Sequence, residues 1–257
     1  MQAVFIKLGG SLITDKAVPK HAHVNRIKAL AKEIATLYAS YPRTVFFIGN
    51  GAGSYGHYAV HETKWREKKN DPMRIAKIRQ VTTELHYMIR DALIDAGVPA
   101  LSFAATSFSG RYKGQPKAWL ESMFSYATHG SVPLVFGDMV YDDIDGSYVL
   151  STEEILETIA KAWTKEGNTI DTFIYCTSVD GVLDANHKAI PTINAASKIT
   201  SIGATHGFDV TGGMAQKITA GRQALAYTQY VYILNGTKPG SITKAMQHEA
   251  VGTRIVA

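Results

Sequence analysis

Apolar positions along this 257-residue chain fall into two kinds of run that take turns. Short, nearly unbroken runs closed by Gly, Pro, Asn or Asp occur at Val4 to Leu8, Val45 to Ile48, Ala100 to Phe103, Leu134 to Phe136, Phe173 to Cys176 and Tyr230 to Leu234. Runs of that length predict strands buried on both faces. Between them lie stretches whose apolar residues recur three and four apart. One carries Ile27, Leu30, Ile34 and Leu37; a longer one carries Ile75, Ile78, Val81, Leu85, Met88 and Ala92 before Gly97. That spacing puts the apolar side chains on one face of a helix. The alternation predicts an α/β fold, a three-layer αβα sandwich around a largely parallel central sheet. From Met139 to Leu150 the pattern changes to a hairpin about Asp145-Gly146. No repeat, low-complexity segment or clear linker interrupts the order, so one domain over 1–257 is expected, with any internal boundary near residue 165.

Composition narrows the class. With 46% hydrophobic and 19% charged residues the chain is an ordinary globular one that can bury a sizeable core. The single Cys176 excludes an intrachain disulfide and a cysteine-based zinc site, which fits a reducing compartment. No apolar run approaches the 18 or so residues that span a bilayer, and MQAVFIKLGG lacks the marks of a signal peptide, so a cytoplasmic protein without membrane contact is expected. A net charge of +5 raises the question of nucleic acid, but the basic residues are dispersed. The densest cluster, Lys64 to Lys69, is broken by Trp65 and Glu67 and reads as a solvated face. The positive balance suits an anionic small molecule better.

Candidate chemistry sits in three glycine loops: Gly9-Gly10-Ser11, Gly51 to Gly56, and Gly212-Gly213. Glycine lets backbone N–H groups approach a phosphate closely, and a helix N-terminus adds partial positive charge. Gly51, Gly53 and Gly56 also fit the dinucleotide pattern G-x-G-x-x-G. That reading requires a second strand leading to an acidic residue about 20 positions on, and the residues before Asp71 have no strand character. No Walker A motif and no protein-kinase H-R-D or D-F-G is present, and DDIDG fails as a calcium loop because Tyr141 and Thr152 fall at its first and last ligand positions. Lysines accompany the loops: Lys7 before the first, Lys16 after it, and Lys217 one turn into the helix opened by the third. Lys7 interrupts an otherwise apolar strand, where an unpaired ammonium would be costly to bury; it needs an anion, and a bound phosphate would supply one.

Taken together, Ile6 to Lys16, GAGSYGH ending at His57, Phe136-Gly-Asp138, Thr177 to Val182, Asp209 to Lys217 and Asn235-Gly-Thr with Gly252 to Ile255 resemble the amino acid kinase superfamily. Within it the chain is most similar to the isopentenyl phosphate kinases, with fosfomycin kinases as near relatives. The resemblance runs from residue 4 to 255, and its most specific element is the loop ending in His57. It implies the amino acid kinase fold, an acceptor-binding part over roughly 1–165 and a nucleotide-binding part over roughly 166–257. The implied activity is ATP- and Mg²⁺-dependent phosphorylation of isopentenyl phosphate, or a close alkyl monophosphate, to the diphosphate. That reaction is a step of isoprenoid biosynthesis in the mevalonate pathway, carried out by a homodimer.

The roles follow from the same resemblance. Lys16, Lys7 and His57 are the catalytic candidates, with Lys16 on the transition state and His57 on the acceptor phosphate. Ala52, Gly53, Ser54, His57 and Thr152 would bind the acceptor. Lys7, Gly9, Gly10, Ser11, Gly53, Ser178, Asp180, Gly213 and Lys217 would bind ATP, with Mg²⁺ bridging nucleotide oxygens and no protein metal ligand. Asp209 and Asp138 are candidates to orient lysines, and the helix from Ile75 to Ala96, with Met88, Tyr55 and Phe103, could wall an isoprenoid tail. Three positions depart from the pattern. Ser151-Thr152-Glu153 stands where Ser-Gly-Asp is usual, so a β-branched side chain meets the acceptor; Ser178 replaces a carboxylate; Asn50 replaces Gly or His. A small phosphonate kinase and a non-catalytic oxyanion-binding protein are the alternatives.

Overall fold

Strand β1 (Gln2–Leu8) has six buried residues after Gln2, and its alternate side chains serve two different cores. Ala3 and Phe5 join one, Val4, Ile6 and Leu8 the other. A strand can do this only at the centre of a sheet covered on both faces. The computed structural model describes residues 1–196 and 210–257, residues 210–212 by backbone alone. After β1 come α1 (Gly10–Ile13), α2 (Val24–Ser40), β2 (Thr44–Asn50), α3 (Gly53–Thr63), a short 3₁₀ turn at Trp65–Glu67, α4 (Pro72–Asp95) and β3 (Ala100–Phe103). Then follow α5 (Ala105–Phe108), β4 (Ser109–Tyr112), β5 (Gln115–Ala118), α6 (Glu121–Thr128), β6 (Val132–Phe136), β7 (Asp138–Asp142) and β8 (Gly146–Leu150). The remainder is α7 (Thr152–Lys165), β9 (Thr169–Thr177), β10 (Thr192–Asn194), α8 (Val210–Ala224), β11 (Tyr230–Asn235), α9 (Ser241–Met246) and β12 (Thr253–Val256).

The main sheet has the order β10-β12-β11-β9-β1-β2-β6-β3, parallel throughout except for the β11–β12 pair. Helices α2, α4 and α9 cover one face with Leu30, Ile34, Leu85, Ile89 and Ile242; α6, α7 and α8 cover the other with Phe124, Ile155, Trp163 and Ile218. The expected three-layer αβα sandwich is therefore the fold. All six predicted strands are present, most extended by one to five residues, and both predicted long helices are. The hairpin at Asp145-Gly146 is β7–β8, which belongs to a second, four-stranded sheet of order β5-β4-β7-β8.

Helix α7 is a third long helix, over a stretch with no helix expected. Its N-terminus is a capping box: the Ser151 hydroxyl accepts from the Glu154 N–H and the Glu154 carboxylate accepts from the Ser151 N–H. From there Ile155, Leu156, Ile159, Ala160 and Trp163 are buried against the sheet. This anchoring sets the residues at its start, Thr152 and Glu153, beside the ends of β1 and β2.

Candidate active site

The register of the parallel strands levels their carboxyl ends. Leu8 lies opposite Asn50 and Cys176, Asn50 opposite Phe136, and Cys176 opposite Leu234. In open α/β sheets the crevice beyond these ends is where ligands bind. Here a cleft of about 460 Å³ opens at that edge and draws together residues far apart in sequence.

Its cationic end holds Lys7, Lys16 and Lys217. Lys7 is only 4% exposed, and its Nζ donates to Glu153 Oε1 at 2.5 Å. The anion that a buried ammonium requires is therefore a carboxylate of the protein, where bound phosphate was the expected partner. Burial pushes the Glu153 carboxyl up, but the Lys7 ammonium outweighs it, and Glu153 sits below its usual range. Lys217 lies in α8 and donates to Gly213 O at 2.8 Å. Burial, then the Lys7 charge, push Lys217 down to about 8; Glu153 opposes this and Lys16 adds to it. Lys16 is exposed at the mouth. The group expected to orient lysines was Asp138 or Asp209. Asp209 falls outside the described residues. Asp138 instead accepts from Arg79 Nε at 2.9 Å and from the Thr106 and Met139 N–H groups. Glu153 performs the orienting.

The two glycine loops between the lysines and His57 meet backbone to backbone. A Cβ on Gly10 would lie 2.7 Å from Gly53 Cα, and one on Gly51 would lie 2.8 Å from Gly10 N. Gly53 has φ +51°, and Thr14 Oγ1 occupies the space its Cβ would need. That hydroxyl donates to Gly10 O at 2.8 Å and accepts from Ser54 N–H at 3.0 Å, so Thr14 caps α3 from outside and ties the loops together. Much of the glycine content thus serves loop-to-loop contact as well as any approach to phosphate. Gly10, Ser11, Ala52 and Gly53 line the cleft. Gly9 does not: its N–H is spent on Cys176 O at 2.9 Å and its Cα packs on that carbonyl. Ser54 is buried, its N–H is taken by Thr14, and its hydroxyl has no partner among the described residues. Gly212-Gly213, expected as a loop opening a helix, lies within α8, and Gly213 borders the cleft.

His57 is exposed on the first turn and a half of α3 and faces the cleft. Beyond it Val60, Ile78 and Met139 form an apolar end, backed by Trp65 and edged by Arg66 and Thr82. The apolar wall expected from Met88, Tyr55 and Phe103 is not there. Met88 is 43% exposed, Tyr55 is buried with Leu85 and Ile89, and Phe103 packs on the opposite core. Helix α4 contributes to the cleft through Ile78 and Thr82 instead.

Thr152 borders the cleft but does not obstruct it. Its hydroxyl donates to Asn50 O at 2.8 Å, and its methyl group sits where a Cβ on Gly49 would come within 2.6 Å. Ser178 lies outside the cleft lining; its Oγ is 3.4 Å from Ser11 Oγ. Asp180 is likewise outside, bound to Lys238 Nζ at 2.7 Å and Asn235 Nδ2 at 2.8 Å. Among the described residues no group of three or more His, Cys, Asp and Glu side chains could hold a metal ion.

The arrangement offers cations and a histidine to anionic groups, and an apolar patch to hydrocarbon, within one cleft. The sequence profile of the amino acid kinase family matches residues 2–235. The isopentenyl phosphate kinase of Haloferax volcanii is 30% identical over 99% of both chains, and that of Methanothermobacter thermautotrophicus 31% identical over 98% of both. A crystal structure of an isopentenyl phosphate kinase superposes with a TM-score of 0.77 at 26% identity, over 98% of this chain and 100% of its own.

Proposed function

The chain belongs to the amino acid kinase family, and from that premise we propose that it transfers the γ-phosphoryl group of ATP to isopentenyl phosphate, giving isopentenyl diphosphate and ADP. The observation that carries this reading is the cleft itself, which brings together His57, the apolar Val60, Ile78 and Met139, the paired glycine loops and three lysines.

An oxygen of the acceptor phosphate attacks the γ-phosphorus as the bond to the β,γ-bridging oxygen breaks, and ADP leaves with that electron pair. The acceptor oxygen is already ionised near neutral pH, so no base is needed and the work is positioning and charge stabilisation. Lys7 and Lys217 hold the ATP phosphates, and Lys16 at the cleft mouth stabilises the transferring group. Glu153 keeps Lys7 aimed. His57 donates to the acceptor phosphate, and Val60, Ile78 and Met139 receive its hydrocarbon. Mg²⁺, bound together with the nucleotide, would supply further charge neutralisation. In the same reading the nucleotide half is roughly 166–257, the acceptor half roughly 1–165, and the enzyme is a cytoplasmic homodimer. Exposed Tyr87, Met88 and Ile94 on α4 support a self-association face, which light scattering of the purified protein tests.

ADP release measured with isopentenyl phosphate, fosfomycin, glutamate, carbamate and UMP tests the acceptor. The expected kcat/KM for isopentenyl phosphate exceeds every other by at least about tenfold, or about 1.4 kcal/mol of transition-state binding. Faster turnover of fosfomycin would overturn the acceptor and keep the phosphoryl transfer. No ADP with any acceptor would leave an oxyanion-binding protein.

A further inference from the structure

Beneath the acceptor loop runs a buried polar chain that phosphoryl transfer does not itself use. His86 sits mid-way along α4 with no solvent exposure, its ring 4.2 Å from that of Phe136. Its Nδ1 is 2.9 Å from Asn50 Oδ1 and its Nε2 is 2.5 Å from Ser102 Oγ. An amide oxygen only accepts, so Nδ1 carries the hydrogen and Nε2 accepts from the Ser102 hydroxyl. Burial, with the Arg90 charge in support, pushes His86 down to about 3, which keeps the ring neutral and this tautomer in place.

Asn50 is the last residue of β2, directly before the acceptor loop. Its Nδ2 is 3.4 Å from Gly51 O, and its own carbonyl accepts from Thr152 Oγ1 at the start of α7, one residue before Glu153. Ser102, His86, Asn50 and Thr152 therefore link β3, α4, the acceptor loop and the helix that aims Lys7. A buried network of this kind adds little net stability over well-packed apolar side chains, so its worth lies in what it positions.

We propose that His86 is a positioning residue for the acceptor: through its Nδ1–H bond to Asn50 it sets where the Gly51–His57 loop stands relative to the lysines. The inference rests on the acceptor reading above and adds to it the element that holds the loop.

Steady-state kinetics of His86→Leu, His86→Asn, Asn50→Ala and the double variant His86→Leu/Asn50→Ala, with thermal midpoints, tests it. His86→Leu is expected to raise the isopentenyl phosphate KM at least about tenfold with the ATP KM unchanged within about twofold. His86→Asn, whose amide N–H can take the place of Nδ1–H, recovers most of that loss. The double variant is no worse than Asn50→Ala, because the effect passes through one residue. Equal rises in both KM values, additive losses, or a normal acceptor KM would overturn the proposal. Should His86→Leu fail to fold, a normal acceptor KM in Asn50→Ala overturns it, and a selective rise there with near-normal values in His86→Asn upholds it. The wild type judges the acceptor reading separately. If it prefers another acceptor of the panel, that reading falls and the variants are scored on the preferred one; if it uses none, both fall.

Discussion

Lys217 offers a direct link between the charge of the cleft and a measurable proton. Its pKa in the free protein is about 8, lowered from 10.5 by burial and by Lys7. A polyphosphate placed against it leaves the lysine buried but supplies negative charge that favours the ammonium, which offsets burial and the Lys7 charge and returns the pKa toward its ordinary value. At pH 8.5 roughly a quarter of the free protein carries the Lys217 proton and nearly all of the nucleotide complex does, so binding takes up about 0.7 proton; at pH 6.5 it takes up almost none. The full shift of about 2.5 units corresponds to about 3 kcal/mol of coupling between proton and nucleotide. Nucleotide titrations by calorimetry in two amine buffers of unlike ionisation enthalpy read the proton directly. The nucleotide's own terminal phosphate is already ionised at pH 8.5 and adds nothing. Lys217→Met, which keeps the stem and loses the ammonium, is the control. No uptake at pH 8.5, or the same uptake in Lys217→Met, would refute the argument. The sign for folding follows from the same shift: a lysine whose folded pKa is lowered costs stability below pH 8, and that cost disappears as pH rises from 8 toward 10.5.

Three further outcomes are expected. Lys16→Ala lowers the single-turnover rate at saturating ATP by at least about 10²-fold while ATP still binds, since a cation on the transferring group acts mainly in the transition state; an unchanged rate removes Lys16 from the mechanism. His57→Ala weakens the acceptor by roughly 1.5–3 kcal/mol and ATP much less, with partial recovery in His57→Gln; a rise in the ATP KM alone would give the loop to the nucleotide. Glu153→Gln leaves Lys7 buried without its anion, a loss of roughly 3–5 kcal/mol, and thermal shifts should show that saturating ATP restores more stability to this variant than to wild type.

What could be read from sequence was what periodicity encodes. Strands such as Val4 to Leu8, apolar but for Lys7, and Phe173 to Cys176 are nearly continuous apolar runs, and α4 keeps one stripe over about five turns, so both announce themselves. Strands β4 and β5, in SGRYKGQPKA, are short and polar, and β10 and β12 have three and four residues, too few for a pattern. Helix α7 was legible in principle: Ser151 to Glu154 has the spacing of a capping box ahead of Ile155, Leu156 and Ile159, but the same residues drew attention as a departure from a family pattern. The lysines and His57 were found because glycine loops mark the carboxyl ends of strands. Glu153 was not, since it lies 146 residues from Lys7 and only the fold joins them. His86 reads in sequence as one polar residue within a helix, and nothing there connects it to Asn50.

Where Gly10 meets Gly53, main chain rests on main chain with no side chain between. Side chains adjust to strain by changing rotamer; two abutting backbones have no such freedom, and Thr14 stitches this pair from a third segment. The distance from one glycine loop to the next is therefore a constant of the scaffold, and in the proposed reaction substrates of different size would be accommodated elsewhere, on the walls formed by α3, α4 and β7 or by α7 and α8. A collection of related enzymes with different acceptors should accordingly vary at positions such as Val60, Ile78 and Met139 while leaving Gly10, Thr14, Gly51 and Gly53 fixed as a set, because a Cβ on Gly10 or Gly51 would strike the facing backbone, one on Gly53 would strike the Thr14 hydroxyl, and that hydroxyl is what ties the loops together.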